Sequence, residues 1–140
     1  RRDDCDDRLN LQTMETSKQK TGRIGEEAAC RYLTRLGHMI VDRNWRTSHL
    51  ETDIITMDRA GLHFVEVKTR KAPAIAEPER NVGPLKQKRL VRAASAYLHD
   101  NQIKWIDAQE VFFDVISVLI CPDGPQINYY PQAFIPTYYQ

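Results

Sequence analysis

The 140-residue chain has little of what usually announces a partner or a compartment. Its three cysteines, Cys5, Cys30 and Cys121, are odd in number and far apart, and no C-x-x-C pair occurs. That pattern indicates neither a zinc site nor a disulfide framework, and a reducing cytoplasm is the simpler expectation. No apolar run approaches the length of a membrane span, and the N-terminal residues have no apolar signal core, so neither membrane insertion nor export is expected. Charge of one sign is also lacking. Twenty Lys and Arg against nineteen Asp and Glu leave a net charge of +1. No global field therefore draws in nucleic acid, and any such surface must come from local segregation of Lys and Arg. Internal repeats and low-complexity segments are absent. What is present is ordinary for one globular domain with a real core, 41% hydrophobic and 28% charged.

The most informative stretch is Leu50 to Arg70, which reads as a β-hairpin. Two apolar-rich runs flank Asp58-Arg59-Ala60-Gly61, whose Asp and Gly are turn residues. A two- or four-residue loop centred between Arg59 and Ala60 puts Asp53 opposite Glu66, Glu51 opposite Lys68 and Ile55 opposite Phe64. A three- or five-residue loop would move Asp53 to the other face. In the first register Glu51, Asp53, Glu66 and Lys68 leave the sheet on one side. Opposed strand residues have Cβ atoms about 4.5–5.5 Å apart, and like charges there are destabilising. Asp53 against Glu66 therefore calls for a cation, either Lys68 or a divalent metal held by oxygen ligands.

Around the hairpin the order reads helix, three strands in a meander, helix, strand. Residues 1–20, with four aspartates among the first seven, read as a mobile tail. Met14 is the first methionine, so a native start there is one expectation. A helix is expected over Thr21 to Leu36, with Thr21 as N-cap, Gly37 as C′ residue and Ile24, Ala28, Ala29, Tyr32, Leu33 and Leu36 on the core face. Glu26 lies at the edge of that face, where it could reach the rim of a sheet, and Glu27 points away. His38 to Arg46 reads as a first strand. Residues 71–83 read as an irregular loop beginning near Arg70 and Lys71, of a length often functional. Pro84 to about Asn101 reads as a second helix, with Lys86 on its core side. Val111 to Ile120 is a further strand, and a short last one is expected near Ile127 to Tyr130. A helix between the third and fourth strands permits their parallel pairing.

The ordered series Glu26, Asp53 and Glu66-Val67-Lys68 resembles the PD-(D/E)XK nuclease superfamily. More closely, the chain resembles the YraN-like family, related to Holliday junction resolvases. That pattern appears as Gly22-Arg23-Ile24-Gly25-Glu26, Asn44-Trp45-Arg46, Glu51-Thr52-Asp53-Ile54-Ile55, Phe64-Val65-Glu66-Val67-Lys68-Thr69-Arg70, Lys86-Gln87 and Phe113-Asp114-Val115, over about residues 21–135. It departs from the family at Leu50, where a Gly usually stands, and at Phe112, where an Arg does. The resemblance implies an α/β restriction-endonuclease-like core, a mixed central sheet flanked by helices, over residues 21–140. It implies a metal-dependent nuclease hydrolysing DNA phosphodiesters, on branched or repair-intermediate DNA. Glu26, Asp53, Glu66 and Lys68 would be catalytic, with Mg²⁺ or Mn²⁺ on Asp53 and Glu66. Glu51, Lys86 and Gln87 would support them, and Arg46, Arg70, Lys71 and Lys86 would contact DNA. A homodimer is an expectation by analogy with the resolvases.

Each feature also has a plainer reading. The carboxylates and Lys68 could form a solvated ion network, and the chain could be a nucleic-acid- or protein-binding module on a nuclease fold without turnover. Lys88, Arg89 and Arg92 read as a solvated helix face. Trp45 reads as packing rather than base stacking. His38, His49, His63 and His99 share no metal spacing and read as structural or surface residues. Asp114 reads as capping or pairing near the fourth strand, and Cys30 as a small buried hydrophobe.

Overall fold

The computed structural model describes residues 15–73, 80–103 and 110–136. The expected tail over 1–14 with Met14, the middle of the expected loop (74–79) and the end of the chain (137–140) lie outside them. Among the described residues no helix is long and apolar enough to cross a membrane.

The architecture is a mixed five-stranded sheet with a helix on each face. The elements are α1 (Ser17–Arg35), β1 (Met39–Thr47), β2 (Leu50–Met57), β3 (Leu62–Lys71), α2 (Pro84–Asp100), β4 (Val111–Cys121) and β5 (Gly124–Tyr130). Spatial order follows chain order. The first three strands form an antiparallel meander, β3 and β4 pair in parallel across α2, and β5 returns antiparallel. This is the expected α/β restriction-endonuclease-like core.

Strand alternation sends the hairpin's side chains to two cores. Ile54 and Val65 face α1, packing with Ala28, Ala29, Cys30 and Leu33. Ile55 and Phe64 face α2, packing with Leu90, Ala94, Tyr97 and Phe113. A sheet buried on both faces explains why the hairpin is apolar even between its charges.

Helix α1 starts earlier than the periodicity suggests. Thr16, not Thr21, is the N-cap, and Ser17 to Lys20 are helical rather than part of a tail. Thr16 and Gln19 form a reciprocal capping box, with bonds of 3.1 Å and 3.0 Å. The polar first turn hid this start, because capping needs no apolar face. At the other end Ile24 and Leu36 are exposed rather than core. Gly37, at φ +99°, closes the helix while His38 N donates to Leu33 O at 3.0 Å. That reversal turns the His38 ring inward, where it is buried. Arg70 and Lys71 belong to β3 rather than to the loop after it.

Candidate functional site

The hairpin register is the one that sums to 119: Ile54 pairs with Val65, Ile55 with Phe64, Thr56 with His63 and Met57 with Leu62. Asp58 sets the turn, its Oδ1 accepting from Ala60 N at 2.9 Å and Gly61 N at 3.2 Å. The β2–β3 ladder then stops at Ile54–Val65. Beyond it β2 stays with β1, pairing Thr52 with Trp45 and Glu51 with Arg46, while β3 stays with β4 out to Lys71. The sheet forks between Asp53 and Glu66.

The fork gathers carboxylates. Asp53 Oδ2 accepts from Val67 N at 2.9 Å, so a side chain takes a bond that the neighbouring strand would have made. Asp53 and Glu66 share a side-chain hydrogen bond. Burial, and then the Asp53 charge, push the Glu66 carboxyl up to about 7. Burial raises Asp53 as well, opposed by its bond from Val67. Lys86 reaches over from the first turn of α2, its Nζ 3.5 Å from Glu66 Oε2.

Glu26 approaches from the opposite side. Helix α1 lies so close to β3 at Gly25 that a Cβ there would stand 2.6 Å from Thr69 Cγ2. The next residue, Glu26, hydrogen-bonds Asn44 and feels the Asp53 charge, and its carboxyl is raised mainly by burial. Asn44 takes φ +51°, a left-handed conformation that Asn tolerates, in the middle of β1. The alternation breaks there, and Trp45 turns onto the Tyr97 ring at 5.3 Å, a packing role as expected.

The other candidates are placed as follows. Lys68 follows Glu66 on the same face, and its Nζ donates to Asn81 O at 3.1 Å. Glu51 does not stand across from Lys68. With the ladder ended, it faces Arg46 on β1 and pairs with it at 3.2 Å. Gln87 donates to Val82 O at 2.7 Å, tying the start of α2 to the segment before it. By alternation Arg70 shares the Lys68 face, whereas Lys71 points to the other. The structure thus brings together Asp53, Glu66, Lys86 and Glu26, and it sets Lys71 apart.

A second polar cluster lies at the turn end of the hairpin, where two of the four histidines, buried as structural residues, come together. His38, Asp58 and His63 have ligand atoms that all lie within 4.8 Å of one another, a spacing one metal ion could bridge. Asp114 stands behind them, its Oδ2 2.7 Å from His63 Nδ1 and 2.5 Å from the Tyr129 hydroxyl, and its Oδ1 accepts from Gln132 N at 3.0 Å. Phe112 stacks on His63 at 4.8 Å. Sequence spacing hides the cluster because the sheet register assembles it. The signal available was that the 119 register lays His63 beside the turn that Asp58 begins.

The chain is similar in sequence to known proteins. A UPF0102 protein of Oleidesulfovibrio alaskensis is 50% identical over 105 residues, which is 75% of this chain and 50% of that protein. UPF0102 proteins of Syntrophus aciditrophicus and Syntrophotalea carbinolica are 37% and 41% identical over 119 and 113 residues, covering 85% and 81% of this chain. The matches extend over 91% and 89% of those two relatives, so the chain spans about half the length of the first and most of the others. The model of "Uncharacterised protein family UPF0102" matches residues 25–118, a span that holds the fork, the turn cluster and both helix-facing cores. The chain belongs to this family, the YraN family of the PD-(D/E)XK-like superfamily.

Proposed function

We propose that the chain is a metal-dependent nuclease that hydrolyses DNA phosphodiesters at the sheet fork, on branched or repair-intermediate DNA. The observation that carries this reading is the pair Asp53 and Glu66, pressed together where β2 and β3 part, with Glu66 held at about 7. Two half-buried carboxylates in contact are unfavourable without a cation, and their oxygens form the hard donor set that Mg²⁺ or Mn²⁺ requires. The donors therefore fit such an ion, held by Asp53 and Glu66 with the Val67 carbonyl. When bound, it supplies positive charge at the scissile phosphate and makes water a better nucleophile.

The chain's own residues do the rest. The bond from Val67 N fixes the Asp53 carboxylate. Lys86 offsets the charge of Glu66 and presents an ammonium over the fork for a phosphate oxygen. Lys68, on the Glu66 face, orients the attacking water and stabilises the hydroxide left as its proton departs. Glu26 holds a second ion or its water from the α1 side. Arg46 and Arg70 are the remaining phosphate contacts, with Lys71 on the other face a weaker candidate.

Purified protein tested on junction, flap and single-stranded DNA with Mn²⁺ decides this. The expected result is cleavage that disappears in Asp53→Ala and Glu66→Ala. Cleavage unchanged in both would overturn the assignment. A module that binds without turnover predicts instead metal-independent DNA binding whose logarithm falls linearly with log salt.

A further inference from the structure

We propose that His38, Asp58 and His63 form a second metal site, for a zinc-class divalent transition metal, with both imidazole Nε2 atoms and Asp58 Oδ2 as ligands. It is separate from the fork. Asp58 lies five residues along β2 from Asp53, roughly 16 Å at strand rise.

The geometry of the imidazoles is the first support. Each is held by its Nδ1 and directs its Nε2 at Asp58. His38 Nδ1 is 2.7 Å from Thr56 Oγ1, and His38 Nε2 is 3.5 Å from Asp58 Oδ2. His63 Nδ1 is 2.7 Å from Asp114 Oδ2, and His63 Nε2 is 2.8 Å from Asp58 Oδ1. Orienting one ring nitrogen through a hydroxyl or carboxylate so that the other can ligate is how protein metal sites fix a histidine. The two rings stand only 4.5 Å apart, centroid to centroid.

Donor chemistry is the second support. Two imidazoles and one carboxylate match zinc and exclude a Mg²⁺ site, which takes oxygen ligands. Tetrahedral bonds near 2.0–2.1 Å place ligand atoms roughly 3.3–3.5 Å apart. His38 Nε2, 3.5 Å from Asp58 Oδ2, already matches that spacing, and with His63 Nε2 2.8 Å from the other Asp58 oxygen all three ligand atoms lie within 4.8 Å of one another. Asp58 also keeps Oδ2 for this purpose, since Oδ1 already serves the turn.

Charge is the third. His63 lies between two carboxylates, Asp58 and Asp114, and the C-terminal end of α1 sits directly before His38. All three favour positive charge in the cluster. The histidine side chains are 5% and 6% exposed and Asp58 is 25% exposed, so a fourth position opens only on the Asp58 side. A hydrolytic triad of Thr56, His38 and Asp58 is excluded because Thr56 is fully buried and no substrate could reach it. A bound ion would staple the start of β1 to the β2–β3 turn, with Asp114 and Tyr129 extending the link to β4 and β5.

The full chain, stripped of metal, is titrated with Zn²⁺ against a chromophoric chelator, with Co²⁺ as an optical probe. The expected result is about one equivalent bound, with tetrahedral Co²⁺ absorption and X-ray absorption of the Zn²⁺ form reporting two imidazole ligands. Asp58→Asn keeps the turn acceptor and the shape, and should weaken Zn²⁺ at least ~10-fold. Asp53→Asn/Glu66→Gln, at the fork, and His49→Gln/His99→Gln, at the exposed histidines, should each bind like the parent. Failure of the folded parent to bind, fewer than two imidazoles on the ion, unchanged affinity in folded Asp58→Asn, or loss of the ion in either control double variant would overturn the site. The X-ray absorption arm needs no variant, so unfolding of a substituted chain does not blunt the test. None of these readouts depends on nuclease activity.

Discussion

The two ends of one hairpin solve the same problem in opposite ways. At the turn end, the half-buried Asp58 and the buried Asp114 lie beside histidines, and every carboxylate oxygen there faces a donor or an imidazole. Burial alone would lower the His63 pKa, but its bonds to Asp114 and Asp58 win and raise it. At the fork, Asp53 and Glu66 face each other; burial raises both, and the Asp53 charge raises Glu66 further. Carboxylates near cations and donors stabilise a fold. Carboxylates pressed on one another store unfavourable energy, which Lys86 offsets in part and a proton or a metal relieves. The first arrangement holds the sheet together, and the second is the arrangement that a reactive site needs.

The largest expected effect comes from breaking the satisfied end. Asp114→Ala strands the half-buried Tyr129 hydroxyl, the Gln132 N–H and one side of the buried His63. It should cost about 3–5 kcal/mol in urea denaturation. The parallel change at the fork, Asp53→Asn, should be neutral or stabilising in metal-free buffer, because it removes a charge that burial disfavours. Equal losses at both ends would break the comparison.

Next in size is a pH effect confined to the fork. Glu66 has its folded pKa raised from 4.5 to about 7, so the folded state binds the extra proton. That contribution to stability is fully present below pH ~4.5 and is lost as pH rises through ~7, worth roughly 3 kcal/mol for a shift of this size. The metal-free chain should therefore lose more stability between pH 5 and 8 than Glu66→Gln does. The difference between the two isolates Glu66, because His63, also raised, acts in the same direction in both. Mg²⁺ should restore stability at pH 8 and do little at pH 5. Thermal melts at fixed ionic strength measure all of this, and parallel pH curves for the two proteins would contradict it.

A smaller effect probes how α1 serves the fork. Gly25→Ala puts a methyl group into Thr69 and lifts the helix from β3. It should cost about 1–3 kcal/mol by overpacking. It should also displace Glu26, lowering Mn²⁺-dependent cleavage beyond what the stability loss explains, with Zn²⁺ affinity at the turn end unchanged.

Much of this was legible in the sequence, and the parts that were not have common causes. The register, the two buried faces, the edge position of Glu26 and the reach of Lys86 all follow from alternation, turn chemistry and helical spacing. Those are short-range rules. Symmetric pairing gives Glu51 the wrong partner because it runs on past the point where β2 leaves β3, and a fork has no local signature. Apolar periodicity starts α1 too late because Thr16 and Gln19 act through polar capping, which an apolar pattern ignores. The His38, Asp58, His63 and Asp114 cluster was missed because its members come from four parts of the chain. Only the combined β1–β2–β3–β4 register brings them together.

The smallest expected effect sharpens the turn end. Thr56→Val keeps the shape of a fully buried side chain and removes only the hydroxyl 2.7 Å from His38 Nδ1. If that bond served packing alone, the cost would be about 1 kcal/mol of stability and nothing else. If it orients His38 for a metal, Zn²⁺ affinity should also fall, by about 10–100-fold, because the ring loses the contact that aims Nε2 at Asp58. Thr56→Ser retains the hydroxyl and should recover most of that affinity while its stability stays lowered by the lost methyl group. The two substitutions thus separate orientation from packing. A Thr56→Val protein that is slightly less stable but binds Zn²⁺ as before would reduce His38 to a core residue and leave the fork as the hairpin's one metal site.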